Sequence, residues 1–376
     1  MSEANKPVIV ALSGGVDSAV AALCLQRAGH LVEALHMTNW DDADEHCTAA
    51  ADFADAQRVA DDLGIALHHV NFAREYREQV FAAFLGEYQA GRTPNPDVGC
   101  NRHIKFGAFL HHAQRLGAEH IATGHYARVV HQPEAGTARL YKAADSDKDQ
   151  TYFLHSVESV ALSRTLFPLG DLRKEQVRAL AREYGLANHA KADSTGICFI
   201  GERPFREFLA QYIVAEPGPI LTLDRQTIGE HSGLAYYTLG QRHGLNIGGQ
   251  ASMEQAAWFV AAKDADRNAL IVVQGHNHPA LLSTGLLVGK LHWINGEPAE
   301  LSATGKLELH VRVRHRQAEA TCKLSRTSQD GILQLRFPVP QRAATPGQYA
   351  VFYAGEECLG GGVILATDAG ARSFPD

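Results

Sequence analysis

The chain lacks the marks of a secreted, membrane-spanning or zinc-stapled protein. Of its 376 residues six are cysteine, and no two of them form a CxxC pair, which argues against a disulfide framework and a zinc ribbon. No apolar run approaches the ~20 residues that a spanning helix requires. The opening MSEANKPVIV has neither a basic start nor a long apolar stretch, so a cytoplasmic protein without membrane association is expected. Internal repeats and low-complexity tracts are also missing. Apolar residues make up 45% and charged residues 20%, enough for two or three domains at roughly 150 residues each.

The formal charge of −7 is unevenly spread. Residues 41–62 hold eight acids and one base, Arg58, which leaves the rest of the chain balanced. Residues 302–343 carry eight bases against three acids and include the alternating Arg312, Arg314 and Arg316. That stretch is either a docking strip for a polyanion or a solvated strand face. The acidic run Asp41–Glu45 is either solvated surface or a docking patch for a basic partner.

Along the first 125 residues short apolar runs alternate with amphipathic stretches, the order of an open parallel sheet with covering helices. Strands are expected at Val8–Leu12, Leu31–Met37, Ala66–Val70 and His120–Thr123, and helices at Ala19–Ala28, from Thr48 to Leu63, and at Ile104–Leu116. Tyr76, Val80, Phe84 and Tyr88 recur every four residues as one helical face. After Glu216-Pro217-Gly218-Pro219 the texture becomes short β-like runs broken by glycine, and from about Leu286 the runs suggest a small antiparallel barrel. The expected units are an α/β nucleotide-binding domain over 1–205, a small β-rich domain over 206–283 and a C-terminal β-barrel over 284–376.

Ser13-Gly14-Gly15-Val16-Asp17-Ser18 falls between the first strand and the first helix. Two glycines permit close backbone approach, and a helix N-terminus presents unpaired N–H groups to an anion. Phosphate is the expected guest, with Ser13 and Ser18 as hydroxyl donors and Asp17 able to help hold a phosphate-bound Mg2+. The Walker-A lysine is missing, which disfavours the kinase and GTPase reading. The motif resembles the ATP pyrophosphatase loop family, and that resemblance implies adenylation of a carbonyl oxygen with release of pyrophosphate.

Two cysteines sit in turn-rich segments. Cys100 ends Thr93-Pro94-Asn95-Pro96-Asp97-Val98-Gly99-Cys100, whose prolines and glycine argue against helix and place the thiol at the start of the next one. Arg102, His103 and Lys105 follow, and cations with a helix N-terminus favour a thiolate. Cys198 lies in Asp193-Ser194-Thr195-Gly196-Ile197-Cys198 near further bases. Cys24, Cys322 and Cys358, in helix-like and strand-like runs, are expected to be structural.

With both loops in view, the chain resembles the tRNA-specific 2-thiouridylases over nearly its whole length. The match is carried by Ala11–Ser18, Met37-Thr38-Asn39-Trp40, the Asn95–Cys100 loop, Ala122-Thr123-Gly124-His125-Tyr126, Asp147–Phe153, Asp193–Arg203, Thr238–Arg242 and Thr345-Pro346-Gly347-Gln348. The resemblance implies a monomeric tRNA-uridine 2-sulfurtransferase. Ala11, Leu12, Ser13, Gly14, Gly15, Val16, Asp17, Ser18, Met37 and Gly124 would bind ATP. Cys198 would carry a persulfide delivered by a sulfur-relay or cysteine desulfurase protein, and Cys100 would act with it, the two forming a disulfide during turnover. Asp97 would be the acid–base group, or else a turn aspartate bonded to its own backbone. Contacts to tRNA carry over to Asn95, Pro96, Asp97, His125, Lys148, Asp149, Gln150, Arg314, His315 and Gln348. His315 stands where members often carry tyrosine, and His243 where lysine is common, so stacking and phosphate contact there would be weaker and pH-dependent. No resident metal is expected. The alternatives are an amide-forming ligase of the same loop family, which makes both cysteines dispensable, and a nucleotide-binding thiol sensor without turnover.

Overall fold

Alternating strand and helix signals in the first third of the chain build a five-stranded parallel sheet. The computed structural model describes residues 6–40, 49–192, 205–247 and 256–369. The opening elements are β1 (Val8–Ala11), α1 (Val16–Arg27), β2 (Val32–Thr38), α2 (Ala49–Leu63) and β3 (Leu67–Asn71). They are followed by α3 (residues 73–89), α4 (residues 96–115) and β4 (His120–Ala122). After the hairpin β5 (Arg128–Gln132) and β6 (Thr137–Tyr141) come β7 (Thr165–Leu166) and α5 (Lys174–Glu183). The sheet order is β3-β2-β1-β4-β7, with every neighbour parallel. The order reverses between β1 and β4, so the crevice at their carboxyl ends is where a ligand belongs.

These strands and helices begin and end close to where the apolar periodicity puts them. Tyr76, Val80, Phe84 and Tyr88 are all buried, as one helical face requires. The proposed cap Thr48 and the run Asp41–Glu45 lie outside the described residues. One expectation is corrected: Pro96 opens α4 instead of excluding it. Proline is tolerated in the first helical turn, where its missing N–H would have no partner in any case. Asn95 is the N-cap, its side-chain oxygen accepting from the Asp97 N–H at 3.2 Å. From Cys100 to Ala108 the helix widens into π geometry, which is frequent at functional sites.

The second unit is a four-stranded sheet of β8 (Gly218–Leu221), β9 (Thr227–His231), β10 (Trp258–Asp264) and β11 (Ala269–Gln274), ordered β10-β11-β8-β9. The third comprises β12 (Leu282–Trp293), β13 (Lys306–Arg312), β14 (Ala320–Arg326), β15 (Leu333–Arg342), β16 (Tyr349–Ala354) and β17 (Glu357–Thr367). These close into a six-stranded barrel because β12 pairs with both β15 and β17. The barrel sheet also takes up β6 and β5, through Glu357 opposite Tyr141 and Cys358 opposite Leu140. A hairpin of the first unit is therefore hydrogen-bonded to the third.

Candidate active site

The loop after β1 is held in a cradle-like shape by its own hydroxyls. Ser18 Oγ accepts from the Ser13 N–H at 3.2 Å and donates to the Gly15 carbonyl at 3.0 Å. Gly14 has φ of +77°, and a Cβ there would stand 2.7 Å from the Asp52 carbonyl oxygen and 2.9 Å from Asp55 Cβ. Only glycine fits that approach. The loop following β4 closes on the same feature: a Cβ on Gly124 would lie 2.7 Å from both the Asp17 carbonyl carbon and the Ser18 nitrogen. Ala11 to Ser18 and Gly124 thus share the crevice, and Met37 is half-buried near the end of β2, the strand paired with β1.

Several groups around this loop had no signal in the spacing of the sequence. Asp17 Oδ1 accepts from the Tyr126 hydroxyl at 2.9 Å, and both its oxygens are bonded by Lys174 Nζ at 2.8 and 2.9 Å. Asn188 Nδ2 donates to the Gly14 carbonyl at 3.0 Å. Lys191 Nζ bridges Asp52 and Asp55 at 3.0 and 2.6 Å, securing α2 behind Gly14. The Lys191 ammonium is the main cause holding the Asp55 carboxyl below its usual range. These residues come from distant parts of the chain, which explains why no local motif announces them.

His125 connects the nucleotide crevice to the cysteine helix. Its Nδ1 pairs with Thr123 Oγ1 at 2.8 Å, and its ring centroid lies 5.8 Å from that of Phe106 in α4 and 6.2 Å from that of Phe167. Burial, helped by the Lys105 charge, keeps the imidazole well below its ordinary pKa and therefore neutral near pH 7. The same Lys105 opposes the burial that raises the Asp97 carboxyl. Lys105 thus acts electrostatically on both His125 and Asp97, and Cys100 lies three residues along the same helix from Asp97. A carboxyl raised by burial is suited to proton transfer. Its N–H is engaged in the cap, but the turn reading accounts only for that backbone group.

Cys100 is 2% exposed on α4. Its flanking cations are partly committed: Arg102 pairs with Glu158 at 3.0 Å, and burial, followed by Arg102, lowers the His103 pKa. Cys198 lies outside the described residues. Cys322 and Cys358 are buried in barrel strands, where desolvation pushes Cys322 up to about 12 and raises Cys358 further, as expected of structural thiols. Cys24, half-buried on α1, is raised by burial as well.

The expected RNA-facing residues divide into two groups. Lys148, Gln150, Asn95 and His315 are half-buried, whereas Pro96 and Asp149 are buried. Asp149 Oδ2 accepts from Arg312 Nη1 at 2.7 Å and Thr151 Oγ1 at 2.8 Å, while Oδ1 takes the Ala143 N–H at 3.0 Å. Arg314 Nη2 donates to the Leu239 carbonyl at 2.6 Å and to Thr345 Oγ1 at 2.9 Å. Of the alternating arginines only Arg316 is exposed. The stretch is therefore neither wholly a docking strip nor wholly a solvated strand face, because the Arg312 and Arg314 guanidiniums join the units. Gln348 Nε2 donates to the carbonyls of Thr93 and Pro94 at 2.8 and 3.1 Å, so the barrel holds the start of the cysteine segment. The His315 ring lies 4.3 Å from that of Phe153, tilted to it by 42°, and its Nδ1 has no hydrogen-bond partner among the described residues.

The arrangement defines a class: a parallel α/β nucleotide-binding unit with a glycine-rich anion loop at its switch point, joined to two β modules. Three family profiles match in the same order. The tRNA methyl transferase HUP domain covers residues 6–202, the tRNA methyl transferase PRC-barrel domain 206–274 and the aminomethyltransferase beta-barrel domain 283–364. The chain is 54% identical to tRNA-specific 2-thiouridylase MnmA of Salmonella arizonae, over 97% of this chain and 98% of that one. It is 55% identical to the protein of that name from Paracidovorax citrulli, over 96% of each. The chain therefore belongs to the tRNA-specific 2-thiouridylase MnmA family. A solved 4-thiouridine synthetase in complex with RNA and bound ATP aligns at a TM-score of 0.35 and 20% identity, over 55% of this chain and 50% of that one.

Proposed function

We propose that this protein is a tRNA-specific 2-thiouridylase, which uses ATP to replace the carbon-2 oxygen of the wobble uridine with sulfur. The observation that carries the reading is similarity at 54–55% identity along 96–97% of the chain to proteins of that name. The geometry supports it through an anion loop and a proton-transfer neighbourhood joined by Gly124-His125. The three units, 1–205, 206–283 and 284–376, would divide the work into chemistry, linkage and RNA docking.

In this reading the loop residues and Gly124 hold the triphosphate and Met37 borders the adenine. Asp17 is the carboxylate placed to face a Mg2+ carried by the nucleotide. Such an ion would be held mainly by phosphate oxygens and water. Bound there, Mg2+ would neutralise phosphate charge. The uridine oxygen attacks the α-phosphorus and pyrophosphate departs. The outer sulfur of a persulfide on Cys198 then bonds to carbon 2, and AMP leaves with the original oxygen. As the persulfide S–S bond breaks, the Cys100 thiolate bonds to the Cys198 sulfur, giving a disulfide that a reductant must reopen. Asp97 handles the proton on the ring, with the neutral His125 beside it. Asn95, Pro96, Lys148, Gln150 and His315 face the RNA, whereas Asp149, Arg314 and Gln348 brace the surfaces that do. The persulfide would come from a separate relay or desulfurase protein, and the enzyme would act as a cytoplasmic monomer. Among the described residues no helix is long and apolar enough to cross a membrane.

Incubation with tRNA, ATP, Mg2+ and a persulfide donor should yield 2-thiouridine by nucleoside mass spectrometry, and Cys198→Ala should yield none. No 2-thiouridine from wild type, or full thiolation by that variant, would defeat the reading; ATP-dependent amide formation that survives in a Cys100→Ala/Cys198→Ala variant would favour the amide-ligase alternative, in which both thiols are dispensable.

A further inference from the structure

We propose that Arg342 and the loop Thr238–Arg242 form an RNA-phosphate site at the seam between the second and third units. The inference rests on the reading of the substrate as tRNA and gives a role to a sequence motif that the chemistry leaves unused.

Two arginines of the barrel unit border this loop. Gly240 has φ of +78°, and a Cβ there would stand 2.6 Å from Ala343 Cβ, 3.3 Å from Arg342 Nη1 and 3.9 Å from Arg314 Nη1. Both guanidiniums therefore approach one glycine. Arg314 is committed, since its Nη2 bonds tie Leu239 to Thr345. Arg342 keeps a donor in reserve. Its Nε donates to the His276 carbonyl at 2.8 Å and its guanidinium lies 5.0 Å from the centre of the Phe259 ring, but its buried Nη2 has no hydrogen-bond partner among the described residues. One carbonyl and an aromatic face orient the fork, and a donor that makes no bond inside the protein is left for a ligand.

The charge of the pair is also uncompensated. Among the described residues no carboxylate pairs with Arg314 or Arg342, whereas Arg312 holds two, Asp149 and Glu319. Burial, followed by the Arg342 charge, lowers the Arg314 pKa, yet a guanidinium stays cationic near neutral pH. Two neighbouring cations without an acid repel each other, and an anion seated beside them relieves that. The backbone is strained at the same place. Ala343 takes φ of +51°, which a residue with a Cβ seldom adopts, and its N–H is held by the Leu281 carbonyl at 2.7 Å. Strain of this kind gathers at ligand contacts. A phosphodiester fits the donor set, because a guanidinium fork meets two phosphate oxygens at once. Arg242, exposed at the end of the loop, adds charge beside it. The loop also reaches the chemistry, since Thr238 Oγ1 lies 3.4 Å from Thr93 Oγ1 at the start of the cysteine segment.

The test is tRNA binding by the full chain, followed by fluorescence anisotropy across a salt series, for wild type, Arg342→Gln and Arg342→Lys. Inorganic phosphate and a non-hydrolysable ATP analogue are titrated in parallel. Arg342→Gln should bind tRNA about tenfold more weakly, with a slope of log K against log salt smaller by about one, while its affinity for the ATP analogue stays within about twofold. Arg342→Lys should recover the slope and part of the affinity. Unchanged tRNA binding in Arg342→Gln would overturn the assignment. So would a loss that keeps the wild-type slope, because that pattern belongs to a disturbed seam and not to a missing phosphate contact. Phosphate that binds wild type but not Arg342→Gln, with tRNA binding equal in both, would overturn it in favour of a free anion. Wild type that binds the ATP analogue but no tRNA would overturn the reading of the substrate, and this site with it.

Discussion

At the residue scale, the groups that matter most are those whose protonation burial controls. His155 is 1% exposed, its Nδ1–H donates to the Tyr152 carbonyl at 2.7 Å, and desolvation lowers its pKa to about 4. An unfolded histidine titrates near 6.5. Between those values the unfolded chain takes a proton that the folded chain refuses, so stability is lost as pH falls from about 6.5 to about 4 and levels off below. The full effect is about 3 kcal/mol at 1.36 kcal/mol per pKa unit. Urea unfolding at pH 7 and pH 5 should show about 2 kcal/mol of this loss, and a His155→Gln variant should show a clearly smaller one. Equal pH sensitivity in both proteins would assign the effect to other groups. Such properties are not legible in the sequence, since nothing in Tyr152-Phe153-Leu154-His155 reveals that the imidazole will be enclosed. The loop glycines were legible, because Ser-Gly-Gly between an apolar strand and a helix has few other uses.

At the element scale, the turn Thr345–Gln348 and the segment Thr93–Cys100 behave as one unit. Besides the two Gln348 bonds, the Thr93 N–H donates to the Pro346 carbonyl at 3.1 Å, and a Cβ on Gly347 would lie 2.9 Å from Thr93 N and O. Gln348→Glu turns a donor into an acceptor facing two carbonyls. At 0.5–1.5 kcal/mol per hydrogen bond, thiolation kcat should fall about tenfold with little change in the KM for tRNA. If instead KM rises and kcat holds, Gln348 touches RNA directly. Periodicity located most of the elements, since a buried strand or helical face must repeat its apolar residues. It misjudged Pro96 because a proline that breaks a helix interior also starts one. Short elements such as β7 were not anticipated, because two residues carry no period. The β5–β6 hairpin escaped for a related reason: part of its pairing lies in the barrel, more than 200 residues away in sequence.

At the scale of the whole molecule, the first and third units are joined by buried charge. Arg312 binds Asp149 at 2.7 Å and Glu319 at 2.9 Å, Lys142 binds Glu319 at 2.6 Å, and both cations face the Tyr353 ring. Removing one partner strands a buried carboxylate, which typically costs 3–5 kcal/mol. Arg312→Met should therefore lower the unfolding midpoint markedly, and Arg312→Met/Asp149→Asn should recover much of the loss. A double variant no better than the single one would show that the pair is not the source. The same joint explains why the basic strip over 302–343 was only half legible. Charge counting finds the arginines, but only the fold decides that Arg312 and Arg314 point inward and Arg316 outward. That the protein is built to couple RNA docking to sulfur chemistry can be tested in a single turnover. The enzyme is loaded with a 34S persulfide, freed of excess donor and given tRNA and ATP. The expected result is one 34S-labelled 2-thiouridine per AMP released, with a disulfide between Cys100 and Cys198 in the spent enzyme. Labelled product from a protein in which both cysteines are alanine, or AMP release without label in the RNA, would contradict it.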